Sequence, residues 1–162
     1  MEDGSYVKNF LKLVASQAVT FFGGWVSTLA NTAYAYAWYN SLIKPSFYPQ
    51  RWMFFPIWAV SYFLMAYSLY LIWIDTEHKE LKANAFAAFA CQLILSTTWI
   101  YVFFGLNAPE PAISIIIAKL IALGITIKIF LPISKLAAYL LLPYVVWIIF
   151  VTTLNISIVV LN

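Results

Sequence analysis

Residues 52–74, WMFFPIWAVSYFLMAYSLYLIWI, contain no charged side chain. A helix needs about 20 mainly apolar residues to cross the hydrocarbon core of a bilayer, so this segment is long enough to span one. Other long runs with few or no charges have the same character, and they cover residues 13–43, 83–109, 111–131 and 136–162. The sequence therefore predicts a chain that crosses a membrane several times.

The composition excludes several other classes of protein. Of the 162 residues, 64% are apolar and only 9% are charged, against roughly 25% charged residues in ordinary soluble domains. The net charge of +3 is small and the basic residues are not clustered, so we expect no nucleic-acid partner. Cys91 is the only cysteine, which excludes an internal disulfide and a cysteine-built zinc site. With one histidine and six acidic residues in loops or near helix ends, we expect neither a metal site nor buried acid–base chemistry.

The predicted fold class is an all-α integral membrane bundle that forms one domain over residues 1–162. Strands are disfavoured because the apolar runs lack the alternation that a membrane β-barrel needs. Residues 31–49 remain as the first extramembrane loop, in which Pro45 and Pro49 disfavour helix before the second span. This aromatic loop either covers the helix ends as a lid or rests among the lipid headgroups. The five predicted transmembrane helices lie near residues 9–30, 50–74, 81–104, 110–131 and 135–161.

Three of the predicted helices carry a polar and aromatic stripe with steps of three or four residues. The stripes are Phe55, Trp58 and Tyr62; Gln92, Ser96, Trp99 and Phe103; and Tyr144, Trp147, Val151 and Asn155. Polar side chains within lipid need partners, so these faces should point into the bundle. Two interpretations remain open: the stripes are packed helix contacts, or they line a cavity for a flat, largely apolar ligand.

Two further features of the predicted spans have alternative explanations. Lys119 lies near the middle of the fourth span, where no acidic residue is available to pair with it. We expect its side chain to snorkel toward one interface. Ala83, Ala87 and Cys91 form a seam of small residues on the third helix. This seam predicts close helix approach, either within the chain or in a homodimer.

Three segments together resemble a known family. They are residues 38–73, WYNSLIKPSFYPQRWMFFPIWAVSYFLMAYSLYLIW; residues 99–105, WIYVFFG; and residues 142–155, LPYVVWIIFVTTLN. These motifs are similar to those of the translocator protein family, whose members are also called tryptophan-rich sensory proteins or peripheral-type benzodiazepine receptors. The resemblance covers most of the chain from Trp38 onward and is weak over the first helix and most of the fourth.

The resemblance implies a five-helix bundle, often dimeric, with a ligand cavity closed by the first loop. Members of the family bind tetrapyrroles such as protoporphyrin and haem-related compounds, and some bind cholesterol or benzodiazepine and isoquinoline drugs. Some bacterial members are reported to degrade protoporphyrin in light. Trp58 and Trp147 match the two pocket tryptophans associated with that chemistry. The matches at cavity or lid positions are Tyr39, Pro49, Trp99, Phe150 and Val151.

The chain departs from the family pattern at several positions. Phe47 stands where the family usually has tryptophan, and Gln50 stands where it has a second proline. Ser96 replaces a usual asparagine, which removes an amide from the expected pocket. The sequence has no basic residue after Lys135, so the sterol motif of animal members is missing from the fifth helix.

These observations lead to one expected function and three alternatives. We expect a membrane receptor or carrier that binds tetrapyrroles and requires no cofactor. It would lie in a bacterial cell membrane, or in the mitochondrial outer membrane if the source is eukaryotic. The alternatives are a light-dependent porphyrin-degrading enzyme, with Trp58 and Trp147 as its catalytic residues; a transporter of sterol or porphyrin; and a structural or assembly subunit whose cavity is filled by side chains. The expected ligand-binding residues are Tyr39, Pro49, Phe55, Trp58, Tyr62, Gln92, Ser96, Trp99, Trp147, Phe150, Val151 and Asn155.

Overall fold

The structure is a computed structural model that describes residues 3–30 and 33–162, with the side chains of the first segment from residue 6 onward. Over these residues the regular secondary structure is entirely helical. The helices are α1 (Asp3–Thr28), α2 (Ala33–Ser41), α3 (Arg51–Ile74), α4 (Lys82–Ile100), α5 (Pro109–Phe130), α6 (Lys135–Tyr139) and α7 (Leu142–Leu161), and a π-helical turn, Tyr101–Gly105, continues α4.

Four segments of the described chain are long and apolar enough to cross a membrane. They are α3, α4 with its π-helical turn, α5, and the pair α6 and α7. Helices α1 and α2 are bent by 72° relative to one another, and together they give a fifth span if the bent pair counts as one. The predicted class, an all-helical membrane bundle, is confirmed.

The charge-free runs located the last four predicted helices closely, but the structure divides the last of them, predicted near 135–161, into α6 and α7. Helix α1 differs, since it begins at Asp3 rather than near residue 9. Lysines in its first turns do not stop it because charged side chains are tolerated where a helix leaves the membrane. The predicted first loop also contains α2, whose sequence AYAYAWYNS has no glycine or proline to interrupt a helix. Helix α2 ends shortly before Pro45, as expected for a residue that helices exclude.

The helices pack most extensively as α4 with α5, α1 with α3, and α5 with α7. Pro56 lies inside α3, whereas Pro143 occupies the first turn of α7, where its missing N–H costs no helical hydrogen bond. Asn107 has a φ of 53°, a left-handed conformation that asparagine tolerates better than most residues. This residue reverses the chain between the π-helical turn and α5.

A polar turn joins α3 to α4. The backbone N–H of His78 donates to Asp75 Oδ1 at 2.8 Å. That hydrogen bond, with smaller contributions from the His78 side chain and the Lys82 charge, holds the pKa of Asp75 below its ordinary value. The Lys82 ammonium also donates to the carbonyl oxygens of Trp73 and Asp75, which fixes the C-terminal end of α3.

Candidate ligand-binding cavity

A largely apolar cavity of about 860 Å³ lies between α1, α2, α3, α7 and the end of α4. Aromatic rings form much of its wall, and five of them come from positions that the stripes predicted: Phe55, Trp58, Tyr62, Trp99 and Phe103. The wall of the cavity therefore combines residues from helices that are distant in sequence, as a small-molecule site requires.

Trp58 and Trp147 lie at different depths in this wall. The Trp58 ring borders the cavity, and the Trp147 ring packs behind it in an edge-to-face contact with ring centroids 6.2 Å apart. Trp147 is only 8% exposed and also stacks on Phe150 at 5.4 Å. Its buried indole N–H has no acceptor within the described part of the chain. Trp147 thus supports the cavity wall from behind.

Asn155 and Trp99 form a polar link at the cavity wall. The Trp99 indole N–H donates to Asn155 Oδ1 at 3.1 Å, and Asn155 Nδ2 donates to the carbonyl oxygen of Pro109 at 2.7 Å. Both side chains border the cavity and are almost fully buried. The link connects α4, α7 and the start of α5, so it holds the Trp99 ring in one orientation.

Gln92 and Ser96 do not border the cavity, although they lie on the same stripe as Trp99. Gln92 Nε2 contacts Met65 Sδ at 3.8 Å, and the Ser96 hydroxyl shares a 2.9 Å hydrogen bond with the Tyr144 hydroxyl. Both are buried between helices. At these positions the stripe serves helix packing, whereas Trp99 on the same stripe borders the cavity.

The connector, defined as residues 42–50, borders one side of the cavity through Tyr48. The Tyr39 hydroxyl donates to the Tyr48 hydroxyl at 3.3 Å, and both rings border the cavity. The Lys44 ammonium lies 4.9 Å from the centre of the Tyr39 ring and donates to the Tyr39 carbonyl oxygen at 2.8 Å. Burial, followed by the nearby charge of Arg51, lowers the pKa of Lys44. Pro49 belongs to the connector, and Phe150 packs against Phe47 of the connector, but neither Pro49 nor Phe150 borders the cavity.

Part of the cavity wall was not predicted. Arg51 borders the cavity and donates to the Tyr36 hydroxyl at 2.7 Å and to Asn40 Oδ1 at 2.6 Å. Tyr36, Tyr39 and Asn40 are spaced as residues on one face of a helix. This part of the wall could therefore have been predicted if residues 33–41 had been assigned as helix. Helix α1 also contributes, and a side chain at Gly24 would place its Cβ 3.1 Å from the Tyr62 ring.

The predicted ligand-binding residues therefore divide into two groups. Those that border the cavity are Tyr39, Phe55, Trp58, Tyr62, Trp99, Val151 and Asn155. Those placed beside or behind it are Pro49, Gln92, Ser96, Trp147 and Phe150. The cavity is open on the side edged by α1, α2 and the start of α3, where Trp25, Tyr36 and Phe55 are exposed.

The expectation that Lys119 snorkels to an interface is wrong. Lys119 is fully buried on the inward face of α5, in register with Ala112, Ile116 and Leu123. Its ammonium lies among three aromatic rings rather than in headgroups. A lysine near the middle of a long helix cannot reach an interface from a buried face, because the neighbouring helices block its path.

Ala83, Ala87 and Cys91 are exposed on the outer face of α4. An open groove of about 720 Å³ between α4 and α5 begins beside them, and Ala87 and Cys91 line it. The seam is therefore available to a second copy of the chain, and homodimerisation stays a prediction.

The fold and cavity define an integral membrane protein built as a bundle of helices around an aromatic internal cavity. The model of the TspO/MBR family matches residues 15–161, and the chain belongs to this family. The chain is 38% identical over 154 residues to the Tryptophan-rich protein TspO of Archaeoglobus fulgidus, covering 95% of this chain and 99% of that protein. It is 35% identical over 119 residues to the Translocator protein of Homo sapiens, covering 73% and 70%. It is also 32% identical over 125 residues to the Tryptophan-rich sensory protein of Cereibacter sphaeroides, covering 77% of each chain.

Proposed function

We propose that this protein is a membrane receptor or carrier that binds tetrapyrroles, or similar flat apolar molecules, in the cavity. The observation that carries this proposal is the meeting of Trp58, Tyr62 and Trp99 around one cavity of about 860 Å³. That volume lies within the range of roughly 300–1,000 Å³ typical of small-molecule pockets. Offset or edge-to-face contacts with such rings favour a planar conjugated ligand.

The distribution of polar groups also supports this ligand class. The described wall is mainly apolar, with the Asn155 amide in its depth and the Arg51 guanidinium at its exposed edge. A macrocycle with an apolar body and ionised carboxylates fits this arrangement, because guanidinium groups bind carboxylates well. The names of these relatives, translocator protein and sensory protein, are in keeping with a carrier or receptor.

A fluorescence titration tests the proposal. Adding protoporphyrin to the purified protein should quench tryptophan emission saturably. Trp58→Phe should weaken binding by about two- to tenfold, since an aromatic contact contributes roughly 0.5–1.5 kcal/mol beyond the buried area. Trp73→Phe is the matched control, because Trp73 lies on the same helix roughly 22 Å away and outside the cavity wall.

The two variants separate specific binding from adsorption to an apolar protein. Equal affinities for the wild type, Trp58→Phe and Trp73→Phe would show that the ligand does not occupy this cavity. Absence of saturable quenching in the wild type would refute tetrapyrrole binding altogether.

A second candidate function is light-dependent oxidation of the bound porphyrin by dioxygen. The observation in its favour is the contact between Trp58 and Trp147, whose indoles form a path from the cavity wall into the bundle. Trp147→Phe should then slow light-driven bleaching and change its products while leaving affinity nearly unchanged, because Trp147 lies behind the wall. Identical rates and products in the wild type and Trp147→Phe would leave bleaching as a property of the porphyrin alone.

A further inference from the structure

Lys119 stands out because it combines full burial with an amino group that has no hydrogen-bond partner in the described part of the chain. It lies at the centre of α5, and its side chain is 0% exposed. The ammonium nitrogen lies 5.3 Å from the ring centre of Trp58, 5.6 Å from that of Trp99 and 5.1 Å from that of Tyr144. We refer to these three rings as the aromatic cage. No acceptor among residues 3–30 and 33–162 bonds to the ammonium.

A positive charge on this amino group would be costly, and the aromatic cage offsets only part of that cost. Ring faces attract a cation, but they leave all three N–H donors of the ammonium without a hydrogen-bond partner. The Tyr144 hydroxyl is already bonded to Ser96. The acidic residue of the same helix, Glu110, lies nine residues earlier, roughly 13 Å along the axis. Among the described residues, no carboxylate lies within ion-pair distance of the ammonium.

The position of the aromatic cage relates this charge to the cavity. Trp58 and Trp99 belong both to the aromatic cage and to the cavity wall, so the ammonium lies close to two rings that a ligand would touch. In surroundings of low dielectric constant a charge acts over several ångströms, because little water is present to screen it. An anionic group in this part of the cavity would therefore be attracted by Lys119.

We propose that Lys119 makes the cavity selective for carboxylates: it supplies the counter-charge for a carboxylate of a flat apolar ligand and so favours the acid over its neutral ester. This inference rests on the proposed tetrapyrrole-binding function and adds the feature of the ligand that is recognised. In this proposal a carboxylate is recognised at the deep end of the cavity by Lys119, separately from Arg51, whose guanidinium lies at the exposed edge.

The test compares protoporphyrin with its dimethyl ester, which keeps the macrocycle and removes both negative charges. Affinities of both compounds are measured for the wild type, Lys119→Met, Lys119→Arg and Lys128→Met. Methionine keeps the length of the side chain without its charge. Lys128→Met is the matched control, because it removes the same charge from an exposed position on the same helix.

We expect Lys119→Met to weaken binding of the diacid at least tenfold, equivalent to about 1.4 kcal/mol, and to leave binding of the diester within about twofold. Lys119→Arg should retain part of the preference for the diacid, and Lys128→Met should change neither affinity. Removing an unpaired buried charge is expected to preserve folding, and the thermal melt of each variant checks this.

Different outcomes overturn different statements. A parallel loss of both affinities in Lys119→Met, or no change in either, would refute carboxylate selection while leaving tetrapyrrole binding intact. Wild-type protein that binds the diester as tightly as the diacid would refute it as well. Wild-type protein that binds neither compound would refute the proposed function, and this inference with it.

Discussion

Replacing Asn155 by leucine tests whether its polar link holds the bundle together. The substitution keeps a side chain of similar size and removes two hydrogen bonds, from the Trp99 indole at 3.1 Å and to the Pro109 carbonyl at 2.7 Å. Hydrogen bonds between helices in membranes contribute on average about 0.6 kcal/mol and at most about 1.7 kcal/mol each. We therefore expect Asn155→Leu to lower the free energy of unfolding by about 1–3 kcal/mol.

Reversible unfolding by dodecyl sulfate in mixed micelles, followed by far-UV circular dichroism, measures this change. Thr153→Val is the matched control, since the Thr153 hydroxyl is exposed on the same helix and bonds only to the Ile149 carbonyl in the described structure. A double-mutant cycle with Trp99→Phe isolates the Trp99–Asn155 bond, because phenylalanine keeps an aromatic ring and removes the N–H.

The coupling energy decides the interpretation. A value near zero for the Trp99–Asn155 pair, or a loss in Asn155→Leu no larger than in Thr153→Val, would show that the link is not a structural constraint. A favourable coupling with a matching loss of protoporphyrin affinity would show that the link also orients the Trp99 ring for the ligand.

Three further predictions concern other parts of the molecule. Gly24→Ala should reduce thermal stability and ligand affinity, because the added Cβ would lie 3.1 Å from the Tyr62 ring. Gly124→Ala is the control: its Cβ would have nothing within 4 Å, so a thermal melt should show it to be neutral or stabilising. Copper-catalysed oxidation in membranes should give a disulfide-linked dimer through Cys91 if the α4 seam pairs two copies; a wholly monomeric band on a non-reducing gel would exclude that seam. Hydrogen bonding lowers the pKa of Asp75, so its carboxylate stabilises the fold at neutral pH and loses this effect as the pH falls through the lowered pKa. The melting temperatures of the wild type and Asp75→Ala should therefore converge in acid. A difference in melting temperature that persists in acid would contradict this assignment.

The sequence alone was sufficient to locate most membrane helices, because charges and prolines mark the ends of apolar runs. The stripes also identified the central aromatic residues of the cavity, such as Trp58 and Trp99. They could not separate a ring that borders the cavity from one behind it. Trp147 illustrates this limit, since helical periodicity gives the direction of a side chain but not how far the next helix stands from it.

The position of Lys119 was not predictable from the usual behaviour of lysine in membranes. A single charge in an apolar run is normally assigned to the surface on grounds of cost. The buried face of α5 is set by its packing against α4 and α7, which is information about tertiary structure. The contribution of α1 to the cavity was missed for a similar reason, since close approach at Gly24 depends on which helix lies opposite.

The open side of the cavity, where Trp25, Tyr36 and Phe55 are exposed on the first three helices, is the route by which the proposed hydrophobic ligand would enter from the bilayer. Hydrophobic compounds dissolve in the bilayer first, so the concentration that governs occupancy is the one within the lipid phase and not the one in the aqueous phase. Lateral diffusion within the bilayer would then bring them to the open side of the cavity. Measured dissociation constants should accordingly scale with the amount of lipid or detergent present, and comparisons between variants are meaningful only at a fixed ratio of lipid to protein.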